Sequence, residues 1–147
     1  MPFAHTVTVQ VFASGDEEQT QQGLLSLFPF SLAEEKIPLQ RQKAEGFEER
    51  FITILRVQLT KAKHTDAFLR GLMAKLSNDT KATLLQQLDS RLDSQLQFFI
   101  RLDKDRLLSG EYALTEQGNC FHLRIVVAAF PHRRETAKAV VEKLLSL

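Results

Sequence analysis

A single cysteine, Cys120, is the chain's whole thiol content, so no internal disulfide can form. That fits a reducing compartment and leaves Cys120 as a small strand residue, an intermolecular partner or a metal ligand. No apolar run reaches about 18 residues, which excludes a membrane-spanning helix. Met1 to His5 lacks the charged and apolar regions of a signal peptide, so the chain is expected to be cytoplasmic. Neither sign of charge is in excess: 19 basic residues face 18 acidic ones, for a net charge of +1. Without a global positive field, affinity for nucleic acid has to come from local clusters, and a strong, indiscriminate DNA binder is disfavoured. Internal repeats, low-complexity tracts and linkers are absent. So are a glycine-rich phosphate loop and a serine elbow.

What is present describes an ordinary globular chain. The 147 residues suit one domain, which at this size buries roughly 68–70% of its unfolded surface. Hydrophobic residues make up 44% and charged residues 25%, too apolar for a disordered chain. The most informative stretch is Gln97 to Lys104. There Phe98, Ile100 and Leu102 alternate with Gln97, Phe99 and Arg101, the period of a strand with one buried and one open side. An aromatic ring and a guanidinium therefore point together away from the core.

The same alternation recurs. His5 to Ala13 sets Val7, Val9, Val11 and Ala13 against Thr6, Thr8, Gln10 and Phe12. Ser14, three residues before Glu17, reads as a capping box opening a helix from about Asp16 to Phe28, ended by Pro29. Ala33 to Glu45, with Pro38 inside it, is expected to be an edge strand carrying Lys36, Arg41 and Lys43. Gly46 to Arg50 reads as a charged turn, and Phe51 to Thr60 as a strong strand with Ile52, Ile54, Arg56 and Gln58 on one side. Thr65 or Asp66 is expected to cap a helix running to Leu76. A second helix is expected over Asp79 to Leu96, with a leucine stripe that belongs to a core. Glu111 to Leu114 and Cys120 to Phe130 read as strands, the latter turning on Gly118 and Asn119. Pro131, the basic residues His132, Arg133 and Arg134, and then Ala137, Val140, Val141, Leu144 and Leu145 at helical spacing predict a terminal helix.

Alternating rather than continuously apolar strands indicate an antiparallel sheet covered on one face, so the expected fold is a two-layer α+β sandwich. Its open face would carry Thr8, Gln10, Phe12, Ile52, Ile54, Arg56, Gln58, Phe99, Arg101, His122 and Arg124. Rings beside guanidinium groups suit single-stranded RNA, whose unstacked bases lie on flat groups while cations hold phosphates. A dimer partner or the terminal segment covering Phe99, Ile52 and Ile54 explains the same pattern equally well.

Catalytic readings fare worse. Asp89 and Asp93, one helical turn apart, and Asp103 and Asp105, flanking Lys104, invite a metal-dependent nuclease, but such sites need carboxylates converging from several elements. A solvated helix face and a turn explain them better. Cys120 and His122 share a strand side and could supply two zinc ligands, where a structural site needs four. His5, His64 and His132 have no nucleophile at a recognisable spacing. No catalytic residue, cofactor or metal is expected.

Three segments resemble a known family. Phe12-Ala13-Ser14-Gly15-Asp16-Glu17-Glu18 is similar to that family's strand-end His-Ala-Thr-Glu-Asp-Glu-Glu. Glu45-Gly46 is similar to the start of its Glu-Gly-His-x-Gly-Asn-Pro turn. Arg91-Leu92-Asp93, Phe99-Ile100-Arg101-Leu102-Asp103-Lys104 and Gly110 are similar to its Arg-Ile-Asp, Tyr-Leu-Arg-Phe-Asp-Lys-Gln and following Gly. The family is an archaeal group of RNA-binding domains described as predicted exosome subunits, with a fold like ribosomal protein L5. The chain departs from it at Phe47 to Phe51, which replace His-x-Gly-Asn-Pro, and at Asp105, which stands for Gln. The resemblance implies RNA binding without catalysis, beside the exosome or the ribosome. On the open-face reading, Phe99 would stack a base and Arg101, Lys104 and Arg124 would meet phosphates, with Arg56 and Phe12 also among the RNA-binding residues. Arg41, Lys43 and Arg50 would extend the track. The competing reading is a protein-interaction or homodimerisation module using the same face.

Overall fold

The structure, a computed structural model, describes residues 2–45 and 51–147. In chain order the elements are β1 (Ala4–Ala13), α1 (Glu17–Ser26), β2 (Gln40–Glu45), β3 (Phe51–Leu59), α2 (Ala62–Lys75), α3 (Asn78–Gln86), α4 (Leu88–Arg91), β4 (Gln97–Asp103), α5 (Lys104–Leu108), β5 (Cys120–Val127) and α6 (Arg134–Leu145). The strands form one five-stranded antiparallel sheet in the order β2-β3-β1-β5-β4. With its helices this is a mixed α+β fold consistent with a two-layer sandwich, as the alternation predicted. No described helix is long and apolar enough to cross a membrane.

β1 lies at the centre of the strand order. Val7, Val9, Val11 and Ala13 are buried on one side, while Gln10 is half-buried and Phe12 exposed on the other. Thr8 departs from that rule, being buried on the polar side. β3, β4 and β5 obey the same period: Leu55, Val57 and Leu59, then Phe98, Ile100 and Leu102, then Phe121, Leu123, Ile125 and Val127 are buried. Arg56, Phe99, His122 and Arg124 on the intervening positions keep part of their surface in water.

Contacts group the chain into two compact units. The first comprises residues 1–7, 59–100 and 124–147; the second comprises residues 8–58 and 101–123. In the first, α2 buries Phe68, Leu69, Leu72 and Met73, and packs on α6, which buries Ala137, Val141 and Leu144. Arg134 ties the start of α6 to α4 by donating to the carbonyls of Asp89 at 2.7 Å and Leu92 at 2.9 Å. In the second unit α1 packs on α5. Their approach is close at Gly23, where a Cβ would sit 2.5 Å from Leu108 Cδ2 and 3.1 Å from Phe121 Cζ.

Several boundaries differ from expectation for local reasons. The edge strand is shorter: residues 32–36 form a turn in which Lys36 has φ 59° and Ile37 N–H donates to the Leu32 carbonyl, and β2 begins only after Pro38, which has no N–H for a ladder. The expected helix to Leu96 ends at Arg91. The Asp93 carboxylate accepts from the N–H groups of Gln95 and Gln97, both at 2.9 Å, and Leu96 has φ 60°. Asp93 is therefore a turn-former and not a helix-face residue. α2 starts at Ala62, ahead of the expected Thr65 or Asp66 cap; Thr65 is buried, with its hydroxyl 3.4 Å from the Ala4 carbonyl. The expected capping box at Ser14 is absent, since Asp16 takes the cap position. Of the strand expected over Glu111 to Leu114 only a bridge from Leu102 to Leu114 forms, and β5 stops at Val127.

One-sided burial makes neighbouring phenylalanines unequal. Phe98→Ala empties a fully buried site and is expected to cost about 3–5 kcal/mol in urea denaturation. Phe99→Ala, on the half-buried side, should cost under about 2 kcal/mol.

Candidate nucleic-acid interface

In the second unit the open side of the sheet presents Gln10 and Phe12 from β1, Ile52, Ile54, Arg56 and Gln58 from β3, Arg101 from β4 and His122 from β5. Phe12 keeps 48% of its surface exposed although it lies in the chain's central strand. Arg101 is exposed and donates through Nη1 to the Glu116 carbonyl at 3.1 Å, which steadies it while leaving other donors of its fork for a ligand. Arg56 is half-buried, and its buried Nε has no hydrogen-bond partner among the described residues. Cys120 shares the side of His122, and burial pushes its thiol above the ordinary value against the opposing pull of Arg101. It is therefore a protonated packing residue at neutral pH.

In the first unit the same side carries Phe99 and Arg124. Phe99 is half-buried, and its carbonyl accepts from Arg91 Nη1 at 3.2 Å. Arg124 repeats the situation of Arg56, with a buried Nε lacking a partner among the described residues. Buried polar atoms are nearly always paired, so each of these Nε atoms, like the Thr20 hydroxyl, is left to a water or to an acceptor beyond the described residues.

The other expected contacts are placed differently. Lys104 is 4% exposed, and its Nζ donates to the Phe12 carbonyl and to Asp16 Oδ2, each at 2.9 Å. It is therefore engaged inside the fold and not displayed on the open side. The signal for this was present: Lys104 continues the buried parity of Phe98, Ile100 and Leu102. Arg41 pairs with Leu55 and Lys43 with Thr53 across the β2–β3 ladder, and opposed residues share a side, so both lie on the buried side of β3 and not on the open one. The Arg41 guanidinium is held there by Glu17 and Gln21 of α1. Lys43 is exposed. Arg50 lies outside the described residues.

The carboxylates once weighed for catalysis have structural partners. Lys138 hydrogen-bonds to Asp89, and with Arg134 beside it this holds the carboxyl below its ordinary range. Asp103 caps α5 by accepting from Arg106 N–H at 3.0 Å, and Asp105 accepts from Asn119 Nδ2 at 3.3 Å. Among the described residues no three His, Cys, Asp or Glu side chains come together as metal ligands.

A family model described as RNA binding matches residues 6–146. The RNA-binding protein PAB1135 of Pyrococcus abyssi is 26% identical over 144 residues, covering 97% of this chain and 94% of its own. Protein AF2318 of Archaeglobus fulgidus superposes with a TM-score of 0.83 at 26% identity, over 96% of this chain and 99% of that one. Mth689 of Methanothermobacter thermautotrophicus, a DUF54 protein, gives a TM-score of 0.77 at 27% identity, over 97% and 98%.

The Lys104 contact joins two of the motifs that carried the family resemblance and anchors the backbone under Phe12. Lys104→Ala is expected to cost about 2 kcal/mol, since it removes a buried stem and leaves two acceptors without their donor. The hydrogen bond from Lys104 holds Asp16 below its ordinary value of 3.8. A carboxyl with a lowered folded-state value stabilises fully above the ordinary carboxylate range and loses that contribution as pH falls through the folded value. The stability gap between wild type and Asp16→Asn, read from urea midpoints, should therefore be constant near neutral pH and close below about pH 4.

Proposed function

The chain belongs to the RNA-binding family, and from that membership we propose that it binds RNA, without catalysing a reaction on it, through the open side of its sheet. The observation that carries this reading is the state of Arg56 and Arg124: each guanidinium is partly withdrawn from water and has a buried Nε with no acceptor among the described residues. A phosphate or base carbonyl supplies that acceptor. In the second unit Phe12 stacks a base while Arg56 and Arg101 meet phosphates. In the first, Phe99 and Arg124 take the same two roles. Arg41 is occupied by Glu17 and Lys104 by Asp16, so neither belongs to the track. Lys43, exposed at the sheet edge, contributes at most a screened, long-range attraction.

A protein of this kind fits beside RNA-degrading or ribosomal machinery, where the chemistry is done by other subunits and the added component supplies grip. The near-zero net charge suits that role, because affinity then depends on the arrangement of a few groups and not on general attraction to polyanions.

Binding of a single-stranded RNA pool, measured by anisotropy across salt concentrations, tests the proposal. Arg56→Ala should flatten the log–log salt slope by about 0.7 to 1. Phe12→Ala should weaken binding by about 5- to 150-fold, the equivalent of one stacked base, and leave the slope unchanged. Absence of binding at low salt, with a concentration-dependent mass near twice the monomer, would instead support a homodimerisation module.

A further inference from the structure

The segment from Phe130 to Arg133 was expected to be the end of a strand and the start of a helix, and it is neither. β5 stops at Val127 and α6 begins at Arg134. Phe130, exposed over 84% of its surface, is the most exposed large hydrophobic residue among those described. A single exposed ring is ordinary by itself, and it is the backbone that holds it and the charges beside it that give it a reading.

The loop is anchored at both ends within the first unit. Val127 N–H donates to the Leu96 carbonyl at 3.0 Å and Ala128 N–H to the Phe3 carbonyl at 2.9 Å. On the far side Arg134 grips the carbonyls of Asp89 and Leu92. The ring is thus presented from fixed backbone, which lowers the entropy lost on binding.

The charges beside it point to the ligand. Pro131, His132 and Arg133 are all exposed. Among the described arginines, only Arg56, Arg124 and Arg133 have side chains without a hydrogen bond or ion pair. The first two lie on the open side of the sheet, and Arg133 is the remaining one. Arg134, next to it, is neutralised by Asp89, and exposed Glu135 limits any general pull on anions. A flat ring followed within three residues by an uncommitted guanidinium matches a nucleotide, with a base on the ring and its phosphate on the fork. A protein partner would call for a broader apolar surface than one ring among charged neighbours.

We propose that the loop Phe130 to Arg133 is a second contact for single-stranded RNA, in which Phe130 stacks a base and Arg133, aided by His132, holds phosphate. This rests on the RNA-binding reading above.

The chain has no tryptophan, so Phe130→Trp introduces a sole indole reporter at the site. On titration with a labelled single-stranded RNA pool, the anisotropy of the RNA should rise and the indole fluorescence should be quenched over the same concentration range. Phe130→Ala should weaken binding by about 5- to 150-fold with an unchanged melting temperature. Arg133→Ala should flatten the salt slope by about 0.7. RNA bound with wild-type affinity by Phe130→Ala, or bound by Phe130→Trp without change in indole emission, would overturn the loop contact while leaving the sheet reading intact. Absence of RNA binding by the wild-type protein would overturn both. Self-association lost in Phe130→Ala, with RNA affinity unchanged, would assign the ring to a protein interface instead.

Discussion

Burial of Val7, Val9, Val11 and Ala13 on one side of β1 is the constraint on which the remaining structure depends. Val7, Val9 and Val11 are withdrawn from water while Gln10 and Phe12, one step away, stay in contact with it. Because successive side chains point to opposite sides, a slip of one residue would put valines into solvent and glutamine into the core. The helices need only one apolar stripe each to complete such a layer, and α2 and α6 have that pattern. The side left uncovered follows from the same constraint. Its rings and guanidinium groups are there because the opposite positions are taken by the core.

Charge pairing then decides which of the cations can serve a ligand. In a chain with net charge +1, most basic groups can find an acid, and many do: Arg41 with Glu17, Arg70 with Asp66, Lys104 with Asp16, and Lys138 with Asp89. Lys104 aside, these exposed pairs add little stability. Their larger effect is to remove cations from the pool available to phosphate. Among the described arginines Arg56, Arg124 and Arg133 have no side-chain partner, and the first two have already lost water at Nε. For these two the cost of partial desolvation has been met in the folded protein, so an incoming acceptor gains more from them than from a fully hydrated lysine.

Lys104 illustrates how a residue can serve a site without touching its ligand. Its ammonium bonds to the carbonyl of Phe12, so the strand end that displays the exposed ring is tied to the start of α5. The family motif containing Lys104 thus contributes to the second unit by fixing backbone, while Arg101, three residues earlier, remains at the surface.

Local geometry alone determined the strands and the side on which each residue lies. The two-residue period set Phe12, Arg56, Phe99, Arg101 and Arg124 on the open side, and read one step further it would also have turned Lys104 inward. Element ends were less legible, because they depend on single groups such as Pro38 and the Asp93 carboxylate, which override a periodic pattern. Apart from the i, i+4 pair of Arg70 with Asp66, only the tertiary structure decided which cations are engaged. Glu17 lies 24 residues from Arg41, the Asp89 carbonyl 45 from Arg134, and the Phe12 carbonyl 92 from Lys104. Pairing depends on distance in space, falling off steeply beyond a few ångströms in a screened medium, and no spacing along a chain reports that distance.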